Sequence, residues 1–264
     1  MAVKEKSHGR KTRVKASQFR KLFDVDLELH KQRYPNEPYC CIELYGGKFM
    51  YDADESGPPF KGSAANFCEL ASNKGVNFNY VAYEEDYTRA LGLVNGLIDY
   101  RDRVKIYNID NSAARTIDTN TKHGMIVADA NGMFDFELVK DLHINFPNYS
   151  LLLNFNATTL KRQRNIGKFT GAKHKSNLWH LLSYFGALPK WPRYVTAPKD
   201  IHHWLVTYLR PDEVPQEQIA PFVKVNTQKG IDYLFKAAFT VEEIKLNTPV
   251  ILPFGHTLKD VLGI

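Results

Sequence analysis

The sequence is poor in the features that would tie it to a wall, a membrane or a metal. Its 264 residues contain only three cysteines, Cys40, Cys41 and Cys68. That number gives no paired disulfide framework, and the spacing matches no zinc motif. Cys40 and Cys41 are adjacent on a strand-like run and would point to opposite faces, as small buried apolar groups in a reducing compartment do. No apolar run reaches membrane-spanning length, and no apolar h-region follows the N-terminal charges. There is no internal repeat and no low-complexity tract. His202-His203 precede a strand without an acid at ligand spacing, so no metal site is expected. These absences predict a cytoplasmic protein without a membrane partner.

Charge is present but unevenly spread. The formal net charge is +6, from 35 Lys/Arg against 29 Asp/Glu. Residues 1–21 hold eight Lys/Arg and one acid, and residues 161–175 hold six Lys/Arg and no acid, which leaves the remainder net acidic. Basicity concentrated in two segments suits a polyanion. Residues 1–16 read as a basic arm that is either solvated or in contact with phosphates through Lys11 and Arg13. Lys161, Arg162, Arg164 and Lys168 form the second patch, either a solvated loop or a phosphate clamp. Guanidinium groups bind phosphate bidentately, which favours the two arginines. Trp179, Trp191 and Trp204 can stack on bases, although core packing also accounts for Trp179 and Trp204.

From Ser17 the pattern becomes helical, with Phe19, Leu22, Phe23, Asp26, Leu27 and His30 on one face and Pro35 as the stop. Seven strands are expected. They are Tyr39–Tyr45, Phe78–Tyr83, Val104–Ile109, Gly124–Ala128, Ser150–Phe155, His203–Leu209 and Val250–Leu252. Residues 46–60 read as a loop. Helices are expected at Ser63–Asn73, Tyr87–Ile98, a short one from Ser112, and 135–145, with further helices at Asn177–Phe185 and Gly230–Ala238. This alternation predicts an α/β fold with a mainly parallel sheet. Residues 1–35 would be the basic arm and helix, and residues 36–264 the sheet domain.

Right-handed crossovers put the strand carboxyl ends on one edge. There the chain carries Glu43-Leu44-Tyr45-Gly46-Gly47, Glu84-Glu85-Asp86, Asp110-Asn111, Asp129-Ala130-Asn131-Gly132 and Asn154-Phe155-Asn156. A glycine turn after a buried strand makes room for a nucleotide-like ligand. A carboxylate near the end of the second strand offers two acceptor oxygens to a vicinal diol, which points to Glu84. The same triplet also suits the N-terminus of the following helix. Asp110 stands where an adenine amine would be met. Asp129 and Asn131 can accept hydrogens from an exocyclic amine; an Asn-Gly turn gives the plainer account.

On Tyr51-Asp-Ala-Asp-Glu-Ser-Gly-Pro-Pro, Tyr83-Glu-Glu-Asp, Asp129-Ala-Asn-Gly-Met-Phe-Asp-Phe-Glu-Leu and Leu152-Leu-Asn-Phe-Asn-Ala-Thr-Thr-Leu-Lys-Arg, residues 38–210 resemble the phage and bacterial three-Cys-motif partner proteins. These are similar to class I S-adenosylmethionine-dependent methyltransferases. The resemblance implies a Rossmann-like seven-stranded, mostly parallel sheet and S-adenosylmethionine as cofactor, held by Glu43, Tyr45, Gly46, Gly47, Glu84 and Asp110. It implies Asp129 and Asn131 as catalytic positions, a nucleic-acid substrate, and a bacterial or phage-infected cell as the setting. The chain departs from the family at Gly46-Gly47-Lys48-Phe49, where Gly-Pro-Gly is usual, and at Ala130, where Pro is usual. Those departures keep a second expectation open: a methyltransferase fold without turnover that binds nucleic acid or a protein partner.

Overall fold

The computed structural model describes residues 10–130, 132, 134–156, 191–196, 204–225, 227–230 and 233. The chain divides into two units, Met1–Val127 and Ala128–Ile264.

The first unit begins with helix α1, Arg10–Arg33. It buries Phe19, Leu22, Phe23, Asp26, Leu27 and His30, the face set by the apolar spacing. The helix starts at Arg10, upstream of Ser17 where the helical pattern was expected to begin, and Ser17 is an exposed position within it. Arg and Lys are good helix formers, and Arg13 gives the first turns a tertiary anchor. Its guanidinium lies 3.6 Å from Asp54 and 4.4 Å from the Phe60 ring centroid. His30, Lys31 and Arg33 occupy the last turn, where cations suit the helix dipole.

Strand β1, Tyr39–Leu44, is buried along its whole length. Two short strands, β2 at Met50–Tyr51 and β3 at Phe60–Lys61, pair antiparallel within the stretch expected to be a loop. Tyr51 and Phe60 stack at 4.8 Å. Helix α2, Ser63–Asn73, packs on α1, with Phe23 edge-on to Phe67 at 5.6 Å. Strand β4, Phe78–Tyr83, runs parallel to β1 from Tyr39↔Phe78 to Leu44↔Tyr83. Helix α3, Tyr87–Gly96, is capped by the Asp86 carboxylate, which accepts from Arg89 N at 2.9 Å. A 3-10 turn, Ile98–Tyr100, follows. Strand β5, Val104–Tyr107, is parallel to β4 and leads to a second 3-10 turn at Asn111–Thr116. Strand β6, His123–Ala128, ends at the boundary between the units.

In the second unit, α4 (Phe136–Asn145) is capped by Asp135 through the amides of Glu137 and Leu138. Strand β7, Tyr149–Asn156, is the Leu-rich buried run. Strands β8 (Arg193–Thr196) and β9 (Trp204–Leu209) are antiparallel to each other, and β9 is antiparallel to β7. A single turn of helix, α5 at Gln216–Ile219, precedes β10, Val223–Lys224, which pairs antiparallel with β8.

Eight strands hydrogen-bond in the order β10-β8-β9-β7-β6-β1-β4-β5. The fold is α/β with a mostly parallel sheet, as expected, but it has eight strands rather than seven. Two of them, β8 and β10, are too short to show a period-two pattern, and β8 directly follows Trp191-Pro192. The expected strand Val250–Leu252 and the helix Asn177–Phe185 lie outside the described residues, as does nearly all of the expected helix Gly230–Ala238. Setting aside the β2–β3 pair, chain order across β5-β4-β1-β6-β7 is 3-2-1-4-5, the Rossmann-like arrangement.

Candidate functional site

In a sheet of this order, ligands bind beyond the carboxyl ends of the strands, where the order reverses. That reversal falls at β1 and β6, so the end of β1 and its neighbour β4 are where to look in the first unit.

Chain direction changes sharply after β1. Tyr45 adopts φ 65° and Gly47 φ 66°, the left-handed region that glycine enters without cost and a tyrosine does not. The turn is pinned at each residue. Tyr45 N donates to Asn111 Oδ1 at 2.9 Å, Gly46 N to the Tyr83 carbonyl at 2.9 Å, and Gly47 N to Glu84 Oε2 at 2.8 Å. Gly46 is closely packed, since a Cβ there would lie 3.0 Å from Leu93 Cδ1. Phe49 folds back on α3, where a Cβ at Gly96 would fall 2.3 Å from its ring.

Glu84 sits just past β4 and is 6% exposed. Its second oxygen, Oε1, accepts from Asp86 N at 2.9 Å, so both oxygens hold backbone amides. Asn108 grips the same corner from the side, donating to the carbonyls of Glu84 and Glu85 at 2.8 and 2.9 Å. Beside them, exposed Glu85 shares a hydrogen bond with Asp110. That bond, with some desolvation, raises the Glu85 pKa above the usual carboxylate value. Asp110 is shifted the other way, chiefly because Ser112 donates to it. As pH falls, Glu85 therefore takes up a proton before Asp110 does.

Glu43 behaves differently. It is 1% exposed, and its two oxygens accept from the hydroxyls of Ser63 and Tyr80. Burial, and then the Glu43 charge, pushes the Tyr80 phenol well above its ordinary pKa. Among the expected cofactor residues, Tyr45, Gly46, Gly47, Glu84 and Asp110 are thus linked by hydrogen bonds at one corner, while Glu43 is tied to side chains of α2 and β4.

In the second unit, Asp129 Oδ1 accepts from Asn154 Nδ2 at 2.7 Å. Phe134 is buried in a trio with Phe136 and Phe155, at 5.1 Å from Phe155 and 4.8 Å from Phe136. Phe136 is half-buried. Asn131, Lys161, Arg162, Arg164 and Lys168 lie outside the described residues, as does the side chain of Lys11. The Arg13 guanidinium faces Asp54 and Phe60 within the first unit. Among the described residues no group of three or more His, Cys, Asp or Glu is placed to hold a metal ion, and no helix is long and apolar enough to cross a membrane.

Asn108, Ser63 and Tyr80 are the residues that sequence reasoning left out. Asn108 carried no usable signal, because the expected strand Val104–Ile109 contained it, whereas β5 ends at Tyr107. Ser63 and Tyr80 carried none.

No model of a known protein family matches the chain, and no curated protein matches it by sequence. Solved structures do match. Protein LPL1258 from Legionella pneumophila str. Philadelphia 1 superposes with a TM-score of 0.54 at 10% identity, covering 75% of this chain and 85% of that one. At that identity the likeness is one of fold. Magnesium protoporphyrin IX methyltransferase from Synechocystis PCC 6803 with bound SAH gives a TM-score of 0.44 at 9% identity, covering 78% of this chain and 90% of that one. The 23S rRNA methyltransferase ErmE gives 0.40 at 13% identity, covering 74% and 69%. Superpositions as loose as these last two do not bear on function.

Proposed function

We propose that this chain is an S-adenosylmethionine-binding protein of the methyltransferase type, acting on nucleic acid. The observation that carries the reading is the corner joining Gly46-Gly47 to Glu84, Glu85 and Asp110. It lies beyond the strand ends of a Rossmann-like sheet, where an adenosine group would bind. The resemblance to three-Cys-motif partner proteins supports the same reading.

The residues fit the cofactor's polar groups. Each Glu84 oxygen has two lone-pair sites and spends one on a backbone amide, leaving one on each for a ribose hydroxyl. Asp110, whose pKa is lowered, is the acceptor for an adenine amine. Gly47 brings no side chain to the edge. When bound, S-adenosylmethionine supplies an electrophilic methyl group. The role of the protein is then mostly positioning. Asp129, oriented by Asn154, would accept a hydrogen from the target amine, and Asn131 would assist. Lys11, Lys161, Arg162, Arg164 and Lys168 would hold phosphates, whereas Arg13 is engaged by Asp54 and Phe60.

A second reading, a fold that has lost turnover and binds nucleic acid or a protein partner, is favoured by one observation. The backbone of Gly47 already occupies Glu84, and Lys48 and Phe49 follow it directly. Titration with S-adenosylhomocysteine by calorimetry separates the two. Measurable heat and a raised melting temperature support the first reading. Absence of both leaves only the second.

A further inference from the structure

The proposed ligand corner joins the ends of β1, β4 and β5, and the loop after β5 bonds to both of the other turns. Asn108 precedes Asp110 in that loop and Asn111 follows it. Asn108 donates to the carbonyls of Glu84 and Glu85, which holds the turn after β4. Asn111 reaches the turn after β1, where its Oδ1 accepts from Tyr45 N at 2.9 Å. Its side chain also lies within hydrogen-bonding reach of Glu85, where it opposes the rise that Asp110 chiefly gives that acid's pKa. Asn111 is 5% exposed and opens the 3-10 turn Asn111–Thr116. Asp110 caps that turn, accepting from Ser112 N at 2.7 Å, and fully buried Ala114 anchors it. The amide of Asn111 therefore projects from a fixed base.

Tyr45 is where the corner needs such a hold. Among the described residues it is the only one besides glycines with φ in the left-handed region, at 65°. That conformation strains a tyrosine and persists only where the surroundings over-determine it. The chain direction it sets brings Gly46 N to the Tyr83 carbonyl and Gly47 N to Glu84. A primary amide suits position 111 because it combines an acceptor for Tyr45 N–H with donors for Glu85. An aspartate would bring the acceptor without the donors, and an alanine neither.

We infer that Asn111 is a positioning residue of the ligand corner: it holds Tyr45 in the left-handed conformation and so sets where Gly46 and Gly47 stand relative to Glu84. The effect on a ligand rests on the cofactor reading proposed above, whereas the hold on the turn does not.

Residue-resolved amide hydrogen exchange of the full chain tests the hold without a ligand. The Tyr45 amide should be protected in the unaltered protein, exchange faster in Asn111→Ala, and be protected again in Asn111→Asp, which keeps the acceptor. Asn111→Asp also carries the test if Asn111→Ala does not fold. Calorimetry with S-adenosylhomocysteine tests the consequence. Asn111→Ala should weaken binding at least about tenfold. The loss should be smaller when the substitution is made on Tyr45→Gly, because glycine enters the left-handed region unaided. No heat from the unaltered protein would remove the cofactor reading, and exchange alone would then decide the role of Asn111 at the turn. A freely exchanging Tyr45 amide in the unaltered protein, protection lost in Asn111→Asp, protection unchanged in Asn111→Ala, or an equal loss of affinity with Tyr45 and with Gly at position 45 would each overturn the inference.

Discussion

Glu43 and Glu84 stand on neighbouring parallel strands, each near its carboxyl end and each nearly sealed from solvent, yet different chemistry holds them. Glu43 is gripped by two hydroxyls, from Ser63 at the start of α2 and Tyr80 in β4. Glu84 is gripped by two backbone amides, from Gly47 and Asp86. A hydroxyl bond ties one packed element to another, so Glu43 works as an interior brace. Amide bonds from two turns fix those turns relative to a strand end, so Glu84 shapes the loop beyond that end. An acid at a strand end can therefore serve the core or the edge, and its donors show which.

Removing the brace should give the largest effect. Glu43→Ala leaves the buried Tyr80 hydroxyl and the half-buried Ser63 hydroxyl unpaired and should cost about 2–4 kcal/mol of unfolding free energy, measured by urea denaturation. A loss as small as that of an exposed glutamate would erase the distinction between the two acids. Glu84→Ala should lower stability less but weaken S-adenosylhomocysteine binding by about 1–3 kcal/mol. Unaltered affinity in calorimetry would mean that the edge acid is also only structural.

The next contrast concerns titration. Glu85 has a raised pKa, so the stability it contributes is present at low pH and lost as pH rises through its elevated value. Asp110 is lowered, so its contribution is present above the ordinary aspartate value and lost as pH falls through its depressed one. Carboxylate resonances followed by NMR should show the two titrating on opposite sides of their usual ranges. Asp110→Asn should bring Glu85 back down. The smallest change is expected at the hairpin, where Arg13→Ala removes a contact with Phe60 worth about 0.5–1 kcal/mol, visible as a slightly lowered melting temperature.

The central strands were legible because each is a short apolar run bounded by turn residues, and a mainly parallel sheet followed from their alternation with helices. Glu84 and the glycine turn were legible because strand ends place them. The brace was not. Ser63 and Tyr80 lie 20 and 37 residues from Glu43, and nothing local marks either as its partner. The β2–β3 hairpin was hidden for a related reason. Two-residue strands have no period to detect, and Asp54, Gly57 and the two prolines between them signal only a turn. The start of α1 was misplaced because the charge of residues 10–16 suggested solvent, whereas Arg13 spends its charge on Asp54. Edge strand β10 and its neighbour β8 were missed because two and four residues of mixed character look like loop.

The close approach of Phe49 to Gly96 has a consequence for inheritance. The ring fills the volume that any side chain at position 96 would need, so neither position can drift alone in every direction. A lineage that acquires alanine at 96 must first have shed the aromatic at 49. The path between the two pairings runs through a void rather than a collision, which makes Phe49→Ala the permissive step and Gly96→Ala alone the forbidden one.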